Sequence, residues 1–182
     1  EFLFGIIAVE TYFGRITGNC RVLDALATLA FHYPPRSSFF TGELEEFLLL
    51  TRSEGLDASE PTGSYAGAMG RPQFIPSSYR AYAGDFDGDG KRDIWENDAD
   101  VIGSVANYFA RHGWQPGGPV TAPLSGVDGD HTDMIAAGMK PSLTIGQMRA
   151  AGIAVESALS AETAASLIEL EQPEGVEHWA GL

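Results

Sequence analysis

An acidic stretch that begins at Asp85 is the part of this sequence best suited to binding a metal ion. Over twelve residues it carries carboxylates at positions 1, 3, 5, 9 and 12, glycine at position 6 and lysine at position 7: Asp85, Asp87, Asp89, Asp93, Glu96, Gly90 and Lys91. EF-hand loops have the same spacing; there the glycine makes a sharp turn, and carboxylates and the position-7 carbonyl surround calcium. Carboxylates this dense repel one another unless a cation compensates them. The pattern therefore predicts a structural calcium ion rather than a solvated acidic turn.

Glu10 is the second candidate for chemistry, because it interrupts an apolar segment. Its neighbours at helical spacing include Ile6, Ile7 and Phe13. We expect such neighbours to shield the carboxyl group from water, as a general acid requires. The alternative interpretation is a structural glutamate that faces solvent or pairs with a nearby arginine.

The glycine-rich segment 63–74 is the third candidate. Its three glycines allow the backbone to approach a ligand closely, and its hydroxyl and amide groups, among them Ser64, Tyr65 and Gln73, could hold sugar hydroxyls and N-acetyl groups. The segment lacks the lysine and the spacing of phosphate-binding loops. A tight structural loop is the alternative.

Weaker candidates lie elsewhere in the chain. Four residues could form a second metal site or simply a solvated loop: Asp128, Asp130, His131 and Asp133. His32 and His112 lack the spacing of a hydrolytic zinc site, and no serine lies in a nucleophile elbow. The residues therefore do not favour a metallohydrolase or a serine hydrolase.

Composition limits the class of protein. The 182 residues include 25 acidic and 11 basic side chains, a formal net charge of −14 that would repel phosphate backbones, so we expect no nucleic-acid partner. One cysteine, Cys20, excludes an intrachain disulfide. The apolar run from Phe2 to Val9 is much shorter than the roughly 20 residues of a membrane-spanning helix. Because an apolar helix is predicted from the first residues onward, we expect a fragment of a longer protein.

Periodicity and turn residues predict a mainly helical (α+β) protein. The expected helices are 2–15, 22–32, one capped by Thr41, 76–82, 101–112 ended by Gly113, and 145–151 capped by Thr144. Short strands are expected near Val120 and Val155, whereas 158–171 fits either a helix or a strand over 165–170. We therefore expect a helical catalytic core over 1–115, with its calcium loop at 85–100, and a smaller, partly β lobe over 116–182.

Five motifs occur together in this order, and they carry a family resemblance: Val9–Gly14, Asp24–Phe31, Gly63–Phe74, the loop at Asp85 and Ser104–Phe109. Together they resemble the membrane-bound lytic murein transglycosylase B family, glycoside hydrolase family 103. The resemblance is densest from about Phe4 to Trp114. It implies a lysozyme-like helical core with a calcium loop, acting on the glycan strands of bacterial peptidoglycan.

The resemblance also implies roles for individual residues. Glu10 would be the single catalytic carboxylate, first as acid and then as base, and the product would carry 1,6-anhydro-N-acetylmuramic acid ends. The implied substrate site comprises Ser64, Tyr65, Met69, Gln73 and Tyr108. For the calcium ion, the family pattern places the last carboxylate at Asp100, whereas the twelve-residue template places it at Glu96, and the sequence leaves both open.

Two rival functions remain at this point. A lysozyme-type hydrolase would need a second carboxylate facing Glu10 across the cleft, and Asp24 or Asp57 would have to supply it. A noncatalytic wall-binding module could keep the groove and the calcium loop without a competent site. By the resemblance we expect a monomeric protein of the bacterial envelope, periplasmic and either soluble or lipid-anchored, with wall-synthesis proteins as conceivable partners.

Overall fold

The computed structural model describes residues 1–127 and 131–182. Within them the chain forms two compact units, Glu1–Trp114 and Gln115–Leu182. None of the described helices is both long and apolar enough to cross a membrane.

The first unit is helical. Its helices are α1 (Phe2–Thr11), α2 (Val22–His32), α3 (Ser37–Glu54), α4 (Pro76–Tyr82) and α5 (Asp98–Arg111), with a 3₁₀ turn at Pro34–Arg36 before α3. A two-residue antiparallel ribbon pairs β1 (Cys20–Arg21) with β2 (Thr62–Gly63). The predictions for α2 and α4 are confirmed at both ends. Proline follows the end of α2 and opens α4.

The prediction that Thr41 caps a helix is wrong. Helix α3 begins at Ser37, directly after the 3₁₀ turn, so Thr41 lies one turn inside it. There its hydroxyl donates to the Ser37 carbonyl at 2.9 Å instead of capping free amides. Threonine inside a helix commonly bonds the carbonyl four residues back, so its residue type did not mark the helix start.

The core of the first unit lies between α2, α3, α4 and the loops around them. Its fully buried side chains are Val22, Leu26, Phe47, Leu50, Met69 and Ile94. Helix α1 buries Ile7 against Val101 and Val105 of α5, but Ile6 and Val9 are exposed. Because α1 is apolar on nearly every side, its periodicity could not identify the buried face.

Helix α5 starts earlier than its apolar pattern indicated. The Asn97 side chain accepts hydrogen bonds from the backbone N–H groups of Ala99 and Asp100, which caps the helix and extends it to Asp98. After the helix, Gly113 adopts φ +85°, the conformation expected of the glycine that ends it.

The second unit is a five-stranded antiparallel sheet with strand order β4-β6-β7-β3-β5. The strands are β3 (Thr121–Ser125), β4 (Leu143–Thr144), β5 (Ala154–Val155), β6 (Ala164–Gln172) and β7 (Gly175–Gly181), and the helices are α6 (Thr132–Ala136) and α7 (Ile145–Ala150). Segment 158–171, for which the sequence fitted either a helix or a strand, contains strand β6. Strand β6 pairs with β7, a strand that the sequence did not predict. Thr144 caps α7 as predicted.

Candidate active site and calcium loop

Glu10 lies next to the end of α1 and lines an open cleft of about 350 Å³. Gln73, from the loop before α4, and Tyr108, from α5, line the same cleft. The rest of the lining is mostly apolar: Ile6, Pro72, Phe74, Ile75, Ser78, Val105 and Phe109. Three sequence-predicted residues from separate parts of the chain thus meet at one cavity, and Glu10 is the one carboxylate among the described residues that line it.

The environment of Glu10 differs from the expected one. Its side chain is exposed, because Ile6 and Phe13, which were expected to cover it, are 39% and 54% exposed themselves. Among the described residues Glu10 forms no ion pair: Arg21 pairs with Asp24, and the Arg15 guanidinium stacks over the Tyr12 ring. The carboxyl group is therefore free to meet a ligand in the cleft.

The chain makes an unusual turn directly after Glu10. Tyr12 and Phe13 have φ angles of +51° and +58°, which non-glycine residues rarely adopt. Such strain persists only where surrounding contacts enforce it. Here the Thr11 hydroxyl, 1% exposed, donates to the Arg71 carbonyl at 2.9 Å and accepts from the Gly14 N–H at 3.0 Å. These bonds hold the end of α1 against the glycine-rich segment.

The glycine-rich segment is a compact, internally bonded loop. The Ser64 Oγ accepts hydrogen bonds from the N–H groups of Ala66 and Ala68 at 3.3 and 3.1 Å. Gly63 is required by close packing, since a Cβ there would lie 2.1 Å from the Ala68 carbonyl oxygen. The Ser64 hydroxyl therefore accepts the loop's own N–H groups and keeps its proton for another acceptor.

Gln73 is held in a strained conformation in the cleft. Its φ of +51° is again in the left-handed region. Its side-chain Nε2 donates to the carbonyls of Gly70 at 2.9 Å and Thr17 at 3.2 Å. Both donors of the amide are thereby engaged, and the Oε1 acceptor is left for a ligand.

Two other residues of the segment occupy different positions. Tyr65 is 79% exposed and lies outside the lining of the Glu10 cleft. Met69 is 0% exposed in the core. Its side chain therefore has no accessible surface for the predicted contact with substrate, and this part of the prediction is corrected. Its backbone is paired with both Gly63 and Phe74, which turns the side chain into the helical core.

Tyr108 belongs to a cluster of aromatic rings that the sequence did not predict. Its ring stacks on His112 with centroids 4.1 Å apart and meets Phe74 at 5.8 Å and Tyr82 at 5.0 Å. His112, the residue directly after α5, follows Tyr108 by four residues, a helical spacing that could have indicated the stack. The neighbours fix the plane of the Tyr108 ring beside the cleft.

The acidic loop brings three carboxylates together. Oxygen atoms of Asp85, Asp87 and Asp100 all lie within 4.8 Å of one another. Asp100 is fully buried, and its two oxygens accept from the N–H groups of Phe86 at 2.7 Å and Asp93 at 2.8 Å. Hydrogen bonds from the Gly90 and Gly88 amides lower the pKa of Asp85 below its ordinary value. Carboxylate oxygens are the ligands that a hard cation such as calcium prefers.

The remaining predicted ligands lie outside this group of three. Glu96 projects from the loop with its side chain 86% exposed, 3.6 Å from the Arg71 guanidinium. The Asp89 carboxylate accepts from the Lys91 N–H at 2.8 Å and is exposed. Of the two alternatives for the last carboxylate, the described geometry places Asp100 beside Asp85 and leaves Glu96 apart.

Of the four weaker metal-ligand candidates, the structure describes two, His131 and Asp133. Asp128 and Asp130 lie outside the described residues; His131 precedes α6, and Asp133 is in its first turn. For the rival hydrolase, Asp57 accepts from Ser59, whose N–H and hydroxyl lower its pKa. Neither Asp57 nor Asp24 lines the Glu10 cleft.

The geometry can be compared with known proteins. A model of the transglycosylase SLT domain family matches residues 1–182. The chain belongs to this family. It is 47% identical over all 182 residues to the membrane-bound lytic murein transglycosylase B of Escherichia coli strain K12, which confirms the resemblance read from the motifs. The chain spans about half the length of that relative, 49%.

Solved structures of transglycosylases share the fold. The soluble lytic transglycosylase SltB1 of Pseudomonas aeruginosa is 48% identical, with a TM-score of 0.87 over 99% of this chain and 60% of its own. The E. coli lytic transglycosylase Slt35, solved in complex with calcium, is 45% identical (TM-score 0.84; 99% and 56% covered). P. aeruginosa SltB3, in complex with NAG-anhNAM-pentapeptide, is 33% identical (TM-score 0.79; 99% and 48% covered).

Proposed function

We propose that this chain is the catalytic part of a lytic transglycosylase that cleaves the β-1,4 bond between N-acetylmuramic acid and N-acetylglucosamine in peptidoglycan. The observation that carries the proposal is Glu10, the one carboxylate among the described residues that line its cleft, with Gln73 of the glycine-rich segment and Tyr108 in the same lining. A glycosidase that relies on water needs two carboxylates. A transglycosylase needs one, because the substrate itself supplies the attacking oxygen.

The proposed reaction uses Glu10 twice. The protonated carboxyl donates its proton to the glycosidic oxygen as the bond from C1 of the muramoyl sugar to that oxygen breaks. The resulting carboxylate then takes the proton from the C6 hydroxyl of the same sugar, whose oxygen attacks C1. The products are a free N-acetylglucosamine hydroxyl and a 1,6-anhydromuramoyl end, and Glu10 has regained its proton without consuming water.

Substrate binding would rest on Gln73 and Tyr108, which line the Glu10 cleft, and on Ser64 of the glycine-rich segment, which lies outside that lining. The free Oε1 of Gln73 can accept from an N-acetyl N–H, and the Ser64 hydroxyl can donate its proton to a sugar oxygen. Tyr108 lines the cleft and can contact a sugar ring there. The names of relatives support this ligand class, since SltB3 was solved with a NAG-anhNAM-pentapeptide. Tyr65, exposed beside Ser64, is proposed as a peripheral contact.

We also propose a structural calcium ion in the acidic loop. Asp85, Asp87 and Asp100 would hold it. By the loop pattern, the carbonyl of Lys91 and the carboxylate of Asp89 would complete the oxygen set. The calcium complex of Slt35 supports the choice of ion. When bound, the ion would neutralise the repulsion among these carboxylates and so fix the segment from Asp85 to Asp100.

The remaining proposals concern the whole protein. We propose that residues 1–115 are the catalytic core, that the protein acts in the bacterial envelope on its periplasmic side, and that it works as a monomer on glycan strands. The E. coli relative is named as a membrane-bound enzyme, which supports a location in the cell envelope. No wall-synthesis partner is assigned.

The decisive experiment is product analysis with a Glu10→Gln variant of the full-length protein. Purified peptidoglycan is digested in calcium, and the fragments are identified by mass spectrometry. Anhydro ends from the wild type and none from Glu10→Gln are expected, since the amide has the same shape but cannot act as the acid. Glu45→Gln, on the exposed surface of α3, is the matched control and should retain activity. Reducing ends would indicate a hydrolase, and undiminished cleavage by Glu10→Gln would exclude the proposed role of Glu10.

A further inference from the structure

Arg71 lies between the end of the catalytic helix and the acidic loop. Its carbonyl accepts the Thr11 hydroxyl at 2.9 Å, and its N–H donates to the Ile94 carbonyl at 3.0 Å. Its side chain fills the space beside Gly14, where an added Cβ would lie 2.8 Å from the Arg71 Nε. The Arg71 backbone therefore contacts both the end of α1 and the acidic loop, and its side chain covers the turn after Glu10.

The guanidinium group binds the far end of the acidic loop. Nε donates to the Trp95 carbonyl at 2.7 Å, Nη2 donates to the Glu96 carbonyl at 3.3 Å, and Nη1 forms an ion pair with Asp98. These partners lie in the segment that leads into Asp100, the buried carboxylate of the acidic group. The side chain is only 22% exposed, so this fork of bonds is partly protected from solvent.

The bonds form a continuous route from the acidic group to Glu10. Asp100 accepts from the Asp93 N–H at 2.8 Å, and Asp93 accepts from the N–H groups of Trp95 and Glu96. Arg71 then joins that segment to Thr11, the residue that follows Glu10. A planar guanidinium with several fixed donors transmits position better than a single point contact would.

We propose that Arg71 is a positioning residue: through it, a cation held by the acidic loop fixes the end of α1 and thereby the place of Glu10 in the cleft. The inference rests on the proposed function and adds a regulation of the same site by the ion. Without the ion, the three carboxylates repel one another and the 95–98 segment relaxes. With the ion, that segment is fixed and Arg71 holds the strained turn after Glu10.

The first test is kinetic and uses the full-length protein with calcium or a chelator. Arg71→Ala should lower kcat on soluble glycan strands by about 10- to 100-fold, the cost of a small misplacement of a catalytic group, and change KM less than about 2-fold. Chelation should lower kcat of the wild type and of Arg80→Ala alike. It should lower kcat of Arg71→Ala no further, because its link to the loop is already cut. Arg80 pairs with Glu46 between α4 and α3 and is the control.

The second test does not depend on activity. Calcium alone is titrated into ¹⁵N-labelled protein, and the amide signals of Thr11 and Gly14 are followed. They should shift in the wild type and in Arg80→Ala and stay unchanged in Arg71→Ala, while calcium still binds the loop. Equal shifts in Arg71→Ala, or none in the wild type, would overturn the proposal whether or not the protein cleaves glycan.

Two conservative variants keep the test decisive if Arg71→Ala fails to fold. Arg71→Lys keeps the charge but cannot reach Trp95 and Asp98 together, so we expect an intermediate kcat. Asp98→Asn removes the charge of the partner at an 81% exposed position and should reduce the calcium-dependent shift at Gly14 without unfolding the chain. Wild-type behaviour of both variants in both tests would refute the role of Arg71.

Discussion

The Thr11 hydroxyl is the contact whose removal best tests how the end of helix α1 is held. The side chain is 1% exposed, and Val has nearly the same shape, so Thr11→Val removes the hydroxyl without opening a cavity. The hydroxyl has one proton. The carbonyl of Arg71, at 2.9 Å, is a closer acceptor than that of Ile7, at 3.2 Å, while the Gly14 N–H donates to the oxygen.

The cost of Thr11→Val follows from the two backbone groups left without a partner. A buried polar group that loses its partner costs about 1–3 kcal/mol. Both groups are only partly buried, so water replaces part of the lost bonding and the lower end of that range applies to each. We expect the free energy of unfolding to fall by about 2 kcal/mol in total. Because Tyr12 and Phe13 are strained, the turn should also loosen and kcat should drop.

Urea unfolding of the wild type, Thr11→Val and Thr11→Ser measures this effect. Serine keeps the hydroxyl and loses one buried methyl group, which costs about 1 kcal/mol, so Thr11→Ser should keep its activity and be the more stable variant. The reasoning is refuted if Thr11→Val is as stable as the wild type, or if Thr11→Ser loses as much activity as Thr11→Val. Either result would mean that packing, not the hydroxyl, holds the turn.

Two further predictions concern the acidic loop and the core. Asp100→Asn should weaken calcium binding, measured by calorimetry, at least tenfold, and it should destabilise the calcium-free protein, because the Asn amide can no longer accept from both Phe86 and Asp93. Glu96→Gln should bind calcium nearly as well as the wild type. If Glu96→Gln weakens binding more than Asp100→Asn does, Glu96 rather than Asp100 is the ligand. Burial, then the charge of Glu54, raises the pKa of Tyr79, so stability is full below the ordinary tyrosine value of about 10 and falls as pH rises past it. Unfolding curves from pH 9 to 11.5 should show this fall in the wild type and lose it in Tyr79→Phe; equal slopes would contradict the prediction.

Local signals determined several parts of the molecule directly. Proline placed the end of α2 and the start of α4, the Thr144 cap placed α7, and ordered motifs identified the family. These features depend on residues close in the chain, since a cap or a proline acts within one helical turn. The sequence also selected Glu10 and the acidic loop as candidates, because residue type and spacing carry that information.

Tertiary packing decided which of those candidates meet and which are hidden. Met69 belongs to the glycine-rich segment, but its backbone pairing turns the side chain into the core, whereas Gln73 faces the cleft. Helix α1 is apolar on nearly all sides, so only its contact with α5 shows why Glu10 is exposed. Asp100 lies beside Asp85 because α5 places it next to the loop, although it falls beyond the twelve residues of the calcium-loop template. Burial depends on contacts between segments that are distant in the chain, and local sequence patterns do not show which segments will meet.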